Sequence, residues 1–393
     1  MFIPKIEKIT RDITASHFLL MFGYKLFSIY YPLFLIERGF SLSEVGYTYL
    51  LIYLPIALFA PIVGFLNHRI NPATLATLGI FGYGVYALGM ILIHNPFLFY
   101  FWQVLLGISA ALFFVSMRAV LISSPLENYD RAFSWFYTAP YYADAFAPII
   151  GALFIWKFGF IGVFILSLVL QFLNAIFCFT RLGKQKIRAL NKSFNFETIK
   201  LNYQKVFEKI KDKATLIPIF ISLSVLLLVG FYSAFFVLFL KNLNWSQNQI
   251  LIFGSLLSLL FLPISLFVIS RVAKQKSEKN ISRGVSITGF FSILVGSLVS
   301  ILNFPLMLLM ILGKSAGNLM TDAGRSGLIS RKLEKYPEEA GTIDTIFTPL
   351  GTALGAFISG LLIASLGFPG LFLIGGIFAF LVGILGFRIC KGR

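Results

Sequence analysis

Two ionisable side chains stand where the surrounding sequence is apolar. Lys25 lies in the middle of a run that extends from Ile13 to Ile36, and Asp144 in the middle of a second run, 133–155. A charge at the centre of a membrane span costs about 2.5–3.5 kcal/mol on insertion scales, so each is expected to bind a charged group or exchange a proton. A third run, 306–328, carries Lys314, Asn318, Thr321, Asp322 and Arg325 at i, i+4, i+7, i+8 and i+11, which is one face of a helix. Lys314 and Asn318 are candidates for solute contact, and Asp322 and Arg325 for a local i,i+3 pair or a gate. Tyr24, Ser28 and Tyr31 share one face of the first run, and Tyr137, Tyr141, Asp144 and Pro148 share one of the second. Tyr24 and Tyr141 could line a pocket or anchor helices at an interface. His17 is expected to be a solvated interface residue.

The elements that hold these residues must cross a membrane. Of 393 residues, 58% are hydrophobic and 12% are charged, against about 45–50% and 25% in ordinary globular domains. A cytosolic enzyme is excluded. Long, Phe-rich apolar runs also exclude a β-barrel, whose strands alternate every second residue over about ten positions. Apolar windows give twelve helical spans at 14–36, 46–66, 74–94, 97–120, 133–155, 160–181, 215–240, 249–270, 284–303, 306–328, 341–364 and 368–388. The first has no small-residue cleavage site and is expected to be a retained span rather than a signal peptide.

Basic residues set the orientation. With both termini cytoplasmic, that side carries 28 Lys and Arg and the opposite side three, as positive-inside sorting demands. The net charge of +17 then lines the inner leaflet, so membrane lipids are expected partners and nucleic acid is not. The longest loop, 182–214, alternates lysines with Phe194, Phe196, Ile199, Val206, Phe207 and Ile210, a pattern suited to an amphipathic helix on the inner leaflet. It separates bundles at 1–181 and 215–393. Cys178 and Cys390 have no metal-site or disulfide spacing, so no metal or cofactor is expected.

The halves repeat with an offset of 205–208. Leu33-Phe34-Leu35 with Phe40-Ser41 matches Leu238-Phe239-Leu240 with Trp245-Ser246, the segment from Arg118 to Ser123 matches that from Arg325 to Ser330, and Phe158-Gly159-Phe160 matches Leu366-Gly367-Phe368. Six spans per repeat give both halves one orientation. Two parallel six-helix repeats joined by a basic loop resemble the major facilitator superfamily over essentially the whole chain. Its loop 2–3 signature falls on Gly64 to Ala73, where Gly64 and Arg69 match while His68 and Asn71 replace the acid and the glycine. Its antiporter signature in span 5 falls on Ala143 to Ala152, where Pro148 and Gly151 match. Gln103 stands where family drug exporters often carry an arginine.

The resemblance implies that spans 1 and 5 are neighbours, so that Lys25 and Asp144 pair near the midplane, either to bind solute or exchange a proton, or as a structural ion pair. It also implies gating roles for Arg69, Arg118, Asp322 and Arg325. Arg118 and Arg325, at matching positions, are each followed by an acidic loop and are expected to form salt bridges that close the inner mouth, or else to snorkel to headgroups. The expected protein is a monomeric secondary active transporter in the plasma (inner) membrane. It would carry a small organic solute, anionic or zwitterionic, with protons as coupling ion and export slightly favoured by span 5. A lipid or amphiphile transporter of the same fold and a non-transporting sensor or scaffold are the alternatives. No Walker motif and no nucleophile-base pair point to an enzyme.

Overall fold

The computed structural model describes residues 6–67, 69–92, 96–124, 129–183, 196–272, 275–333 and 336–391. Among these, every regular element is helical: α1 (Lys8–Ser28), α2 (Tyr31–Glu37), α3 (Leu42–Leu66), α4 (Pro72–Leu92), α5 (Pro96–Ser123), α6 (Tyr129–Arg181), α7 (Phe196–Ile210), α8 (Lys213–Asn242), α9 (Gln247–Val272), α10 (Ser277–Ser297), α11 (Phe304–Lys332) and α12 (Pro337–Lys391), with a 3₁₀ turn at Val299–Ile301. Helices are the open-ended solution for an apolar chain in lipid, because each satisfies its own backbone groups.

Twelve spans follow from these elements. Eight helices are long and apolar enough to cross a membrane, and α1 with α2 makes a ninth span bent by 41°. Helices α6 and α12 each hold two spans, broken at Gly159 (φ 67°) and Gly367 (φ 64°), a backbone region that favours glycine. The twelfth span is α10, whose buried Asn280, Ser282, Thr288 and Ser292 make it too polar to stand out by composition alone. It begins seven residues before the expected start at 284, because the helix runs on through Glu278, Lys279 and Arg283. The first span, expected as one helix, is broken between Ser28 and Tyr31. Pro32, in the first turn of α2, has no N–H to donate back to the preceding turn.

The repeat is visible in local geometry. At the start of α3, Ser41 and Glu44 form a reciprocal capping box, with Ser41 N–H donating to Glu44 Oε2 at 2.8 Å and Glu44 N–H to Ser41 Oγ at 3.3 Å. At the start of α9, Ser246 and Gln249 do the same at 2.8 and 3.2 Å. Phe27 packs at a tilt against Phe164 at 4.9 Å, and the matching Tyr232 against Phe372 at 4.8 Å.

The chain divides into two compact units. One comprises Met1–Ile29, Leu51–Leu201 and Pro337–Ile346, and the other Tyr30–Leu50, Asn202–Tyr336 and Phe347–Arg393. In the first, α1 lies along α6 and α4 packs on α5 and α6. Polar side chains tie α1 to the second span of α6: Ser16 Oγ donates to Asn174 Oδ1 at 3.0 Å, Asn174 Nδ2 to Ser16 O at 2.9 Å and Gln171 Nε2 to Leu20 O at 2.9 Å. Such bonds contribute about 0.6 kcal/mol each on average inside a membrane. In the second unit α11 packs on α10, α9 and α8.

Candidate functional site

In the first unit, Lys25 Nζ lies 2.8 Å from Asp144 Oδ1. The approach of the two helices makes that contact possible. Two turns beyond Asp144, Gly151 sits so close to α1 that a Cβ there would lie 1.8 Å from Leu26 O. The two side chains are 27% and 36% exposed. Tyr53 of α3 hydrogen-bonds Tyr24 beside the pair, and Tyr24 meets Tyr83 of α4 edge to face at 5.9 Å. Gln103 is fully buried, accepting from Tyr86 Oη at 3.2 Å and donating to Phe99 O at 3.1 Å. The Tyr141 side chain lies outside the described residues.

In the second unit the polar stripe of α11 divides among three neighbours. Lys314 places its ammonium 3.9 Å from the centroid of Tyr232 on α8. Asn318 Oδ1 accepts from Thr288 Oγ1 of α10 at 3.0 Å, and Thr321 is buried with its hydroxyl donating to Gly317 O at 3.0 Å. Gly317 lets α10 come this near, since a Cβ there would lie 2.5 Å from Thr288 Oγ1. Lower on α11, Arg325 Nη1 pairs with Asp322 Oδ1 at 2.9 Å, the i,i+3 contact expected from the spacing, and Arg325 Nη2 donates to Thr348 Oγ1 of α12 at 2.7 Å.

Arg118, the repeat mate of Arg325, also reaches α12: it donates to Thr345 Oγ1 and lies 3.9 Å from Asp344 Oδ2. Of the acidic-loop partners expected from sequence, Glu127 and Glu334 lie outside the described residues, as do the side chains of Asp130 in α6 and Glu338 in α12. His68 of the loop 2–3 signature is outside them too, while Arg69 is exposed and lies over the Phe65 ring at 5.4 Å. His17 corrects its expectation. It is buried, with Nδ1 3.0 Å from Phe136 O and its ring among Phe113, Phe114 and Phe136, because α1 begins two turns before the expected edge and draws His17 into the bundle.

Sequence reasoning missed Asp344, Tyr53 and Tyr232. Asp344 carried the same signal as Lys25, an ionisable residue inside an apolar window. The two tyrosines carried none, since a phenol in a span is unremarkable until its neighbours are known.

A twelve-span helical bundle with ionisable residues inside its spans defines a multi-pass membrane protein of transporter type. The chain belongs to the Major Facilitator Superfamily, whose family model matches residues 13–343. No curated protein matches it in sequence. Its fold is similar to that of a POT family transporter solved with a thioalcohol-conjugated peptide (TM-score 0.79, 14% identity, 98% of this chain and 96% of that one). It is also similar to a POT family transporter solved with 5-aminolevulinic acid (TM-score 0.77, 15% identity, 96% and 94%). A third likeness is to a bacterial homologue of the human drug peptide transporters PepT1 and PepT2 (TM-score 0.72, 14% identity, 98% of each chain).

Proposed function

We propose that the chain carries a small, charged organic solute across the plasma membrane by alternating access, coupled to protons, with the Lys25–Asp144 pair as the proton-exchanging element. The observation that carries this reading is the partly exposed ion pair at 2.8 Å inside two membrane spans. A proton on Asp144 removes the charge that holds Lys25, and loss of that proton restores the pair, so the hold of α6 on α1 changes with proton occupancy. The halves 1–181 and 215–393 rock about the site as a monomer, with both termini and the basic 182–214 linker on the cytoplasmic side. Arg69, Arg118, Asp322 and Arg325 serve the inner gate.

The structural likeness to transporters solved with a conjugated peptide and with 5-aminolevulinic acid guides the choice of solutes to test. Purified protein in proteoliposomes is given an imposed pH gradient and labelled 5-aminolevulinic acid, dialanine or free amino acids, with flux read in both directions. Gradient-driven flux of at least one solute, made insensitive to pH by Asp144→Asn, is the expected result. Flux that ignores the gradient in the unaltered protein would refute proton coupling.

A further inference from the structure

The two intramembrane lysines are in opposite electrostatic situations. Lys25 is matched by Asp144 at 2.8 Å. Lys314 is 7% exposed, and among the described residues its ammonium has no carboxylate within 4 Å; its partner is the face of Tyr232 at 3.9 Å. A cation stripped of water and facing only a ring is incompletely compensated, since the ring quadrupole replaces part of the lost hydration and no countercharge.

The surroundings supply what an anion needs besides charge. Tyr232 is fixed by its hydroxyl, which donates to Ser292 Oγ at 3.2 Å, and by Phe372 at 4.8 Å. One turn along α11, Thr288 donates to Asn318 Oδ1, which leaves the amide nitrogen of Asn318 as a donor one helical turn from Lys314. One ammonium with one amide, and no arginine fork beside them, suits a monoanionic carboxylate better than a doubly charged phosphate. The fold itself does not ask for the lysine. At the repeat-equivalent position stands Gly107, where a Cβ would lie 2.3 Å from Ile52 O.

We propose that Lys314, seated on Tyr232 and flanked by Asn318, binds the carboxylate of the transported solute, so that the substrate class is a small organic carboxylate. The proposal rests on the transporter reading above for the word transported, and on the second unit alone for the binding site.

The test is the melting midpoint of the purified full-length chain in neutral detergent, because a ligand that binds only the folded state raises it by mass action. The probes are charge-matched pairs of one shape: acetate with acetamide, and benzoate with benzamide. The carboxylates are expected to raise the midpoint and the amides not. The rise should be lost in Lys314→Met, reduced in Tyr232→Leu, and kept in Lys241→Met, which removes an exposed lysine in the last turn of α8. Without ligand, Lys314→Met should melt no lower than the parent, since methionine fills the same space without an uncompensated charge.

Equal effects of acids and amides, no effect of either acid, or an undiminished rise in Lys314→Met would each overturn the proposal. So would a Lys314→Met protein that melts well below the parent, which would make the lysine structural. Repeating the titration with phosphatidylglycerol added separates sources: a rise given by the lipid alone and blocking acetate would assign the site to a headgroup and refute the solute. Binding without flux would refute transport while sparing the site. Flux of neutral solutes only would do the reverse.

Discussion

Replacing Lys25 by Met and Asp144 by Asn, singly and together, tests whether the pair is a switch or a strut. At 2.8 Å the bare attraction is about 6 kcal/mol for an effective dielectric near 20. Desolvation takes back much of that. Removing one partner of a fully buried pair costs about 3–5 kcal/mol, while an exposed pair is worth about 0–1 kcal/mol. With side chains 27% and 36% exposed, a coupling of about 1–3 kcal/mol is expected between those limits. Either single change leaves a lone charge, so each should lower the melting midpoint in detergent, and the double change should recover part of the loss. Proton-driven flux is the second readout. The double variant should be folded yet no longer follow an imposed pH gradient. Strictly additive single effects would refute the pairing, and a double variant with full gradient-driven flux would refute the exchange role.

Three further outcomes are expected. Gly151→Leu should prevent stable folding, because even the first carbon of the side chain would lie 1.8 Å from Leu26 O, and it is checked by the recovery of monodisperse protein. Gly367→Ala places a side chain at φ 64° and ψ 174°, a strain of about 1–3 kcal/mol, and should lower the melting midpoint by a few degrees. Arg118→Ala and Asp344→Asn should show non-additive effects on flux of about 0.5–3 kcal/mol, because the two groups share one contact at 3.9 Å; additive effects would separate Arg118 from α12.

The twelve spans were legible because apolar length is set by bilayer thickness and does not depend on partners. The repeat was legible for the same reason that Gly159 and Gly367 recur: a chain reversal with positive φ accepts few residues, so its sequence is tightly restricted. The break before Tyr31 was not, although Pro32 was in plain view, because a proline inside an apolar run kinks some spans and ends others. The Lys25–Asp144 contact was legible only with a helix arrangement borrowed from a family resemblance. Periodicity gave the stripe of α11 one face but not its neighbours, so Lys314 on Tyr232 and Asn318 on Thr288 emerge only from the packing.

The repeat also separates architecture from function. Where the halves agree they agree on mechanics: capping boxes at Ser41 and Ser246, glycine breaks at 159 and 367, ring pairs at Phe27–Phe164 and Tyr232–Phe372. At two places where they disagree, charge is involved. An offset of 205 puts Gly230 opposite Lys25, and offsets of 207–208 put Gly351 or Thr352 opposite Asp144. In the second half those positions are closed by backbone, with a Cβ on Gly230 destined to lie 2.1 Å from Thr352 O. The same helix crossing is thus made once with an ion pair and once without any charge. The fold has an uncharged solution at this place, and a pair that only fastened helices would carry the insertion cost of two ions for a contact that glycine supplies. Gly107 opposite Lys314 repeats the argument in the other direction. These departures from symmetry are where the proposed roles of Lys25, Asp144 and Lys314 fall, and Lys25→Gly, which gives the first half the residue that the second has at Gly230, should abolish proton-driven flux in a protein that still folds.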